Sequence, residues 1–298
     1  MVQFFFEVLI GGLLSGVMYS LVALGFVLIY KASGVFNFAQ GSLVFFAALT
    51  FVGLQEQGLS FGVALLVTLG VMVLAGLAIE RMVLRPLVNQ PPISLFMATI
   101  GLSFFIEGLA QLLWGANVRG LDLGLQDEPI QLITDATGMN VSKFDLAAAG
   151  IAAVLVAALA LFFSRTRIGR ALRAVADDHQ AALAVGIPLQ HIWALVWAVA
   201  GFVALVAGVM WGVRNGVQYA LTFTALKALP VLILGGFTSI PGAIIGGVII
   251  GVGEKIGEFY WGPLLGSGIE SWLAYFIALG FLLFRPQGLF GDKIIERI

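Results

Sequence analysis

No cysteine occurs in the 298 residues. That excludes a disulfide framework, a thiol nucleophile and a thiolate metal site. Histidine is nearly absent as well, with only His179 and His191, so a histidine-based metal centre is not expected. Charge is scarce: Asp, Glu, Lys and Arg make up 10% of the chain, whereas soluble domains carry about 25%. A net charge of −1 offers no basic face to a nucleic acid. The phosphate-cradling loop Gly-x-x-x-x-Gly-Lys-Ser/Thr is missing. Its nearest approach, GVGEKIG over 251–257, lacks the final hydroxyl. The sparse polar residues form no nucleophile–base spacing either. We therefore expect no catalytic residue, no metal site and no cofactor in this chain.

What the chain has in plenty is apolar surface. Sixty per cent of the residues are hydrophobic, with 24 Phe and 38 Gly, in line with the Gly enrichment of membrane helices. Residues 4–30 are apolar apart from Glu7, and no Lys or Arg precedes Lys31. A cleavable signal peptide begins with positive charge, so this run is expected to be a retained first membrane helix. A span needs about 20 mostly apolar residues. Further runs cover about 38–54, 61–79, 93–114, 145–163, 192–213, 219–234, 242–257 and 269–284, the seventh and eighth of the nine being short. The expectation is an all-α polytopic membrane protein with about 8–9 transmembrane helices, forming one domain over 1–298.

Connections rich in Lys and Arg favour the cytoplasm. With the N-terminus outside and nine crossings, ten cations fall inside: Lys31, Arg81, Arg85, Arg165, Arg167, Arg170, Arg173, Arg285, Lys293 and Arg297. Only Arg119, Lys143, Arg214 and Lys255 fall outside, and Lys227 sits within a segment. That balance predicts N-out, C-in. A faint internal echo follows the same topology. A Gly-containing inner connection (33–42), two helices and Arg85-Pro86-Leu87 parallel a second connection (235–243), two helices and Arg285-Pro286-Gln287. The pattern could be a parallel repeat or merely common turn chemistry. The largest outer connection, 115–144, carries Asp122, Asp127, Glu128 and Asp135 and reads as a solvated loop, a lid or a docking surface.

One polar, basic stretch, 164–190, interrupts the apolar runs on the inner side: SRTRIGRALRAVADDHQAALAVGIPLQ, with Ser164 at its start. Its arginines, Arg170 and Arg173 included, could meet acids of a soluble partner or anionic membrane lipid. Asp177 and Asp178 follow them. Ala181, Ala182 and Gly186 then place small residues on a helix whose end is set by a left-handed glycine, leaving a low surface for docking.

The spacing Ala-Ala-x-x-x-Gly resembles the coupling-loop signature of ABC-importer permeases, with Gln180 where the signature has Glu. Three stretches together, LVALGFVLIYKASGVFNFAQG (21–41), GRALRAVADDHQAALAVGI (169–187) and LILGGFTSIPGAIIGG (232–247), are similar to the Liv-type permeases of branched-chain amino-acid ABC importers. The C-terminal RPQGLFG (285–291) fits too. The resemblance implies the ABC-importer permease fold and a bacterial or archaeal inner membrane. It implies a homologous second permease, two cytoplasmic ATPase subunits holding ATP and magnesium, and an extracytoplasmic substrate-binding protein. It also implies that Arg170, Arg173, Asp177, Asp178, Ala181, Ala182 and Gly186 carry coupling to the ATPases. The substrate would be a branched-chain or other small aliphatic amino acid, or urea or a short amide.

Four polar residues inside apolar runs are candidates for the translocation path. Asn37 and Gln40, three apart, would share one face of a helix and serve substrate or helix packing. Glu107 lies deep in its segment, where an acid is costly and a functional-site hypothesis by default; a hydroxyl or Lys227 would be its structural partner. Lys227 stands three residues before Pro230 and could snorkel to an interface. If Glu107 and Lys227 bound a coupling ion, a stand-alone ion-coupled secondary transporter would be the rival reading. Gly12/Gly16 and Gly247/Gly251 have the spacing that lets helices approach closely, within the chain or between permeases.

Overall fold

The computed structural model describes residues 2–87, 90–124, 128–266 and 268–291. Each of the nine apolar runs is helical. In chain order the helices are α1 (Val2–Ser33), α2 (Gln40–Glu56), α3 (Phe61–Ile79), α4 (Pro92–Trp114) and α5 (Gln131–Thr137). They continue with α6 (Lys143–Arg165), α7 (Arg167–Asp177), α8 (His179–Ala184) and α9 (Leu189–Asn215). The last four are α10 (Leu221–Leu226), α11 (Ala228–Gly235), α12 (Ile240–Leu265) and α13 (Glu270–Phe284). Among the described residues β pairing is confined to two isolated bridges, Arg119–Val217 and Pro129–Ser142.

Six helices are long and apolar enough to cross a membrane: α1, α3 with its continuation to Leu87, α4, α6, α9 and α12. α2, the α10–α11 pair and α13 are apolar and shorter. Two expectations change. The run 242–257 is part of a 26-residue helix, about 39 Å long at 1.5 Å per residue, which exceeds the ~30 Å hydrocarbon core. Lys255 therefore lies inside α12 rather than in an outer connection. The run 219–234 is instead broken at Lys227 into helices of 6 and 8 residues. Prolines and caps set several boundaries: Pro92 opens α4, Pro188 precedes α9, and Ser239 Oγ accepts the Gly242 amide at 3.0 Å to start α12. The outer connection carries α5. Asp127, Lys293 and Arg297 lie outside the described residues.

The chain divides into two compact units. One comprises 25–121 and 159–226 and is built around α2, whose residues Gln40 to Gly53 are all buried. α3, α4, α9 and α10 pack on it. Small residues permit the approach: a Cβ at Gly208 would stand 2.5 Å from the Val44 carbonyl oxygen, and one at Gly76 2.9 Å from that of Trp197. The outward faces of α3 and α4 carry exposed Leu66, Leu74, Leu112 and Leu113, as lipid-facing surfaces do.

The other unit comprises 1–24, 122–158 and 227–298. Here α11, α12 and α13 pack on one another, and the first part of α1 lies against α12 through Gly12, Gly16, Gly247 and Gly251. A Cβ at Gly16 would sit 2.6 Å from the Gly247 carbonyl oxygen, and one at Gly251 2.5 Å from the Gly16 backbone. Ser20 Oγ donates to Gly16 O at 2.8 Å and reaches Ile244 O at 3.2 Å. The Gly-x-x-x-Gly spacings thus serve packing inside the chain. The two halves of the sequence echo fall one in each unit, as the helix pairs α2–α3 and α12–α13. They differ at their exits. Arg85 pairs with Glu80 at 3.3 Å where the helix end widens into a π-turn over Glu80–Leu84 and then tightens into a 3-10 turn over Arg85–Leu87, whereas Leu289 and Phe290 return amide hydrogen bonds to Leu234 and Gly235.

A side chain on the α1–α12 contact should be severely destabilising, because lipid offers no compensating burial. Gly251→Val should lower the melting temperature and yield of detergent-extracted protein, measured by fluorescence-detected gel filtration. Gly11→Ala, which meets open space, should leave both unchanged or raise them slightly.

Candidate functional site

Glu107, on α4, is buried, and three hydroxyl groups meet its carboxylate. Ser42 on α2 donates to Oε1 at 2.7 Å, and Ser103, one turn before Glu107, reaches the same oxygen at 3.2 Å. The Tyr219 hydroxyl, from the α9–α10 connection, donates to Oε2 at 3.2 Å. Ser42 and Ser103 are themselves 2.7 Å apart. The structural partners foreseen for Glu107 resolve in favour of hydroxyls. Beside it opens a cavity of about 250 Å³, lined by Phe38, Gly41, Ser42, Ile100, Ser103, Phe104, Glu107, Tyr219, Thr222, Phe223 and Leu226. Its chemistry is a carboxylate and hydroxyls at one end with aromatic and aliphatic walls around them.

The connection leading into α2 holds Asn37 and Gln40, both fully buried. They do not share a helix face as expected. Asn37 precedes α2 outside any helix, where its Oδ1 accepts the Ala39 amide at 3.0 Å, and Gln40 is the first residue of α2. The reason is local: the turn at Asn37 satisfies the backbone that a helix would otherwise use. Asn37 Nδ2 and both polar atoms of Gln40 have no hydrogen-bond partner among the described residues. A Cβ at Gly25 would press on the Gln40 amide, so this side chain is confined by packing. An aromatic series holds the connection: Phe26 stacks on Phe36 at 4.8 Å, Phe36 meets Phe38 at 4.7 Å, and Phe38 meets Phe96 at 5.0 Å. Thr99 on α4 adds a bond of 3.3 Å to the Phe36 carbonyl.

Lys227 belongs to the other unit. Its Nζ lies 3.9 Å from Glu270 Oε1, and Lys255 Nζ lies 2.9 Å from Oε2 of the same carboxylate. Glu254, almost fully buried on α12, stands near this group. Glu258 accepts the Gly268 and Glu270 amides at 3.0 Å each, folding the α12–α13 connection back on α12. Lys227 is thus an ion-pair partner, at the break between α10 and α11.

The polar segment 164–190 folds as two short helices. Thr166 caps α7 by accepting the Gly169 amide at 3.2 Å, and Arg173 donates to the Phe163 carbonyl at 3.0 Å, tying α7 to the end of α6. Asp178 Oδ1 accepts the Gln180 and Ala181 amides at 2.8 and 3.0 Å and so starts α8. Gly186, at φ +82°, ends the turn. Its amide bonds Leu183 O at 3.0 Å, and the Ile187 amide bonds Ala182 O at 2.9 Å, the double closure of a Schellman end. Arg170, Arg173, Asp177, Asp178, Ala181 and Gly186 are exposed, whereas Ala182 is buried. The small residues Ala181, Ala184 and Gly186 share the exposed side with the larger Leu183 and Val185, with Ala182 turned inward.

Several of these roles were not singled out from sequence. Ser103 and Glu107 are four apart on one helix face, a visible signal, and Asp178 before an alanine-rich run is a recognisable N-cap. Ser42 and Tyr219 reach Glu107 only through tertiary packing.

A many-helix membrane chain with a polar cavity and a capped polar hairpin between its spans is a polytopic transport permease. Residues 8–285 match the family described as branched-chain amino acid transport system, permease component, and the chain belongs to that family. It is 30% identical to the high-affinity branched-chain amino acid transport system permease protein BraD of Pseudomonas aeruginosa, over 99% of this chain and 98% of that one. It is 27% identical to LivH of Escherichia coli K12 over the same shares. The autoinducer 2 import system permease protein LsrC of E. coli O9:H4 is 29% identical over 77% of this chain and 64% of that one. Among solved structures, PsaBC from Streptococcus pneumoniae in complex with Fab has the same fold, with a TM-score of 0.50, 16% identity and 95% of each chain covered. The chain is thus a multi-pass membrane permease component and not an enzyme. Membership in an ABC-importer family sets aside the stand-alone carrier and implies ATPase and substrate-binding partners.

Removing the α8 cap should loosen the segment locally. Asp178→Ala should cost α8 about 1 kcal/mol and speed hydrogen exchange across 178–187, while Asp177→Ala should leave it unchanged.

Proposed function

We propose that this permease imports branched-chain or other small aliphatic amino acids across the bacterial or archaeal inner membrane, with its N-terminus outside and its C-terminus in the cytoplasm. It works as one membrane domain beside a homologous second permease. Two cytoplasmic ATPase subunits bind the ATP and magnesium, and no cofactor resides in this chain. An extracytoplasmic binding protein delivers substrate. The observation that carries this reading is the family match over residues 8–285, supported by BraD and LivH, whose names state branched-chain amino acid transport. Urea and short amides are the competing substrates.

In this reading ATP-driven closure of the ATPases pushes on 164–190, and the helices around the path switch their access. Arg170, Arg173, Asp177, Asp178, Ala181 and Gly186 present the exposed contact surface. Arg173 and Asp178 also brace it through their hydrogen bonds, and the buried Ala182 supports it from beneath. Asn37, Gln40 and Glu107 belong to the path, with Lys227 adjusting the break between α10 and α11.

Mass spectrometry of the gently extracted complex tests the assembly: ATPase subunits and a second permease should co-purify, and a lone chain would sink the reading. Gly186 offers the test of coupling. A β-branched residue is strained at φ +82°, although a Cβ there meets no neighbour. Gly186→Val should cut ATP-driven uptake by the reconstituted complex severalfold with assembly retained, and Gly186→Asn, which tolerates that backbone, should cut it less.

A further inference from the structure

We propose that the cavity beside Glu107 is a subsite for a primary ammonium group and lets the permease separate amine-bearing solutes from uncharged ones of the same shape. This inference rests on the permease reading above. Glu107 is 8% exposed, and among the described residues its hydrogen bonds come from the neutral hydroxyls of Ser42, Ser103 and Tyr219. Among the described residues no Lys, Arg or His pairs with it. A carboxylate at this depth gains most from a cation that arrives with its own charge. A primary ammonium has three donors and no acceptor. The site supplies acceptors to match: both carboxylate oxygens and the remaining lone pairs of three hydroxyls. The walls beyond, Ile100, Phe104, Phe223 and Leu226, suit an aliphatic body. The volume, about 250 Å³, exceeds the ~150 Å³ cavity known to hold benzene. A small aliphatic amine fits by charge, by hydrogen bonding and by size.

The test uses the assembled complex without its binding protein, so that selection by that protein does not intrude. The complex is reconstituted in phosphatidylcholine–phosphatidylglycerol vesicles. Binding of 3-methylbutylammonium and of its uncharged counterpart 3-methyl-1-butanol is read by calorimetry. Wild type should prefer the amine, and Glu107→Gln should weaken amine binding by about tenfold or more while leaving the alcohol unchanged. Tyr219→Phe, which leaves the carboxylate in place, should keep the preference for the amine at reduced affinity and covers the case of a poorly assembled Glu107→Gln. Equal binding of amine and alcohol by wild type, or unchanged amine binding in an assembled Glu107→Gln complex, would overturn the proposal. Competition by added phosphatidylethanolamine would reassign the site to a lipid headgroup and overturn it as a solute subsite. ATP-driven leucine uptake with the binding protein restored is measured in parallel. Loss of amine discrimination with leucine uptake intact defeats the subsite alone, and amine binding without uptake of any aliphatic amino acid defeats the transport reading alone.

Discussion

A helix buried on every side constrains everything around it, and α2 is such a helix. Because residues 40–53 face protein rather than lipid or water, polar groups on it gain by finding protein partners and each neighbour needs room to approach. Gln40 is the exception, its polar atoms unpaired among the described residues. Ser42 meets Glu107, and Thr50 accepts the Trp114 indole N–H at 3.2 Å. Gly41 admits the Thr222 backbone of α10, and Gly53 admits the Trp114 ring. The same helix therefore fixes α4 on one side and α10 on another. Those are the elements that supply Glu107 and border Tyr219. The cavity lies beside Gly41 and Ser42 of α2, lined also by residues of α4 and α10.

Much of this was legible from the sequence, for physical reasons that differ by element. Apolar runs declare membrane helices because lipid forces every backbone group to bond within its own segment. Gly186 declared its turn because few residues other than glycine adopt that backbone. The Gly12, Gly16, Gly247 and Gly251 spacings declared close contacts, but nothing in a linear string says which helix meets which. Gln40 and Asn37 were visible as polar residues in apolar surroundings, yet their misassigned helix face shows that a three-residue spacing means little where a capping side chain takes over the backbone. The partners of Glu107 were least legible. Ser42 is 65 residues away and Tyr219 is 112, and both are ordinary residue types.

The polar hairpin α7–α8 shows how a small surface is kept rigid at the edge of a membrane protein. A helix of 11 residues and one of 6 are below the length at which helices persist alone. Here they are secured at their ends: Thr166 and Asp178 cap the starts, Arg173 locks α7 onto α6, and the Schellman closure at Gly186 finishes α8. Gly169, packed under the Phe163 carbonyl, makes the α6–α7 corner sharp.

Acidic residues within the membrane helices are handled in two ways, and the contrast bears on function. Glu270 has two lysines within ion-pair distance, so its charge is already balanced inside its own unit and has little to offer a ligand. Glu107 is surrounded by hydroxyls, which orient a carboxylate without neutralising it. Hydroxyl groups can also turn, donating to the carboxylate in one state and accepting from a ligand in another, something a fixed ammonium cannot do. A purely structural acid would be better served by a lysine partner or by replacement with an apolar residue. The arrangement around Glu107 forgoes both, and it borders a cavity of molecular size.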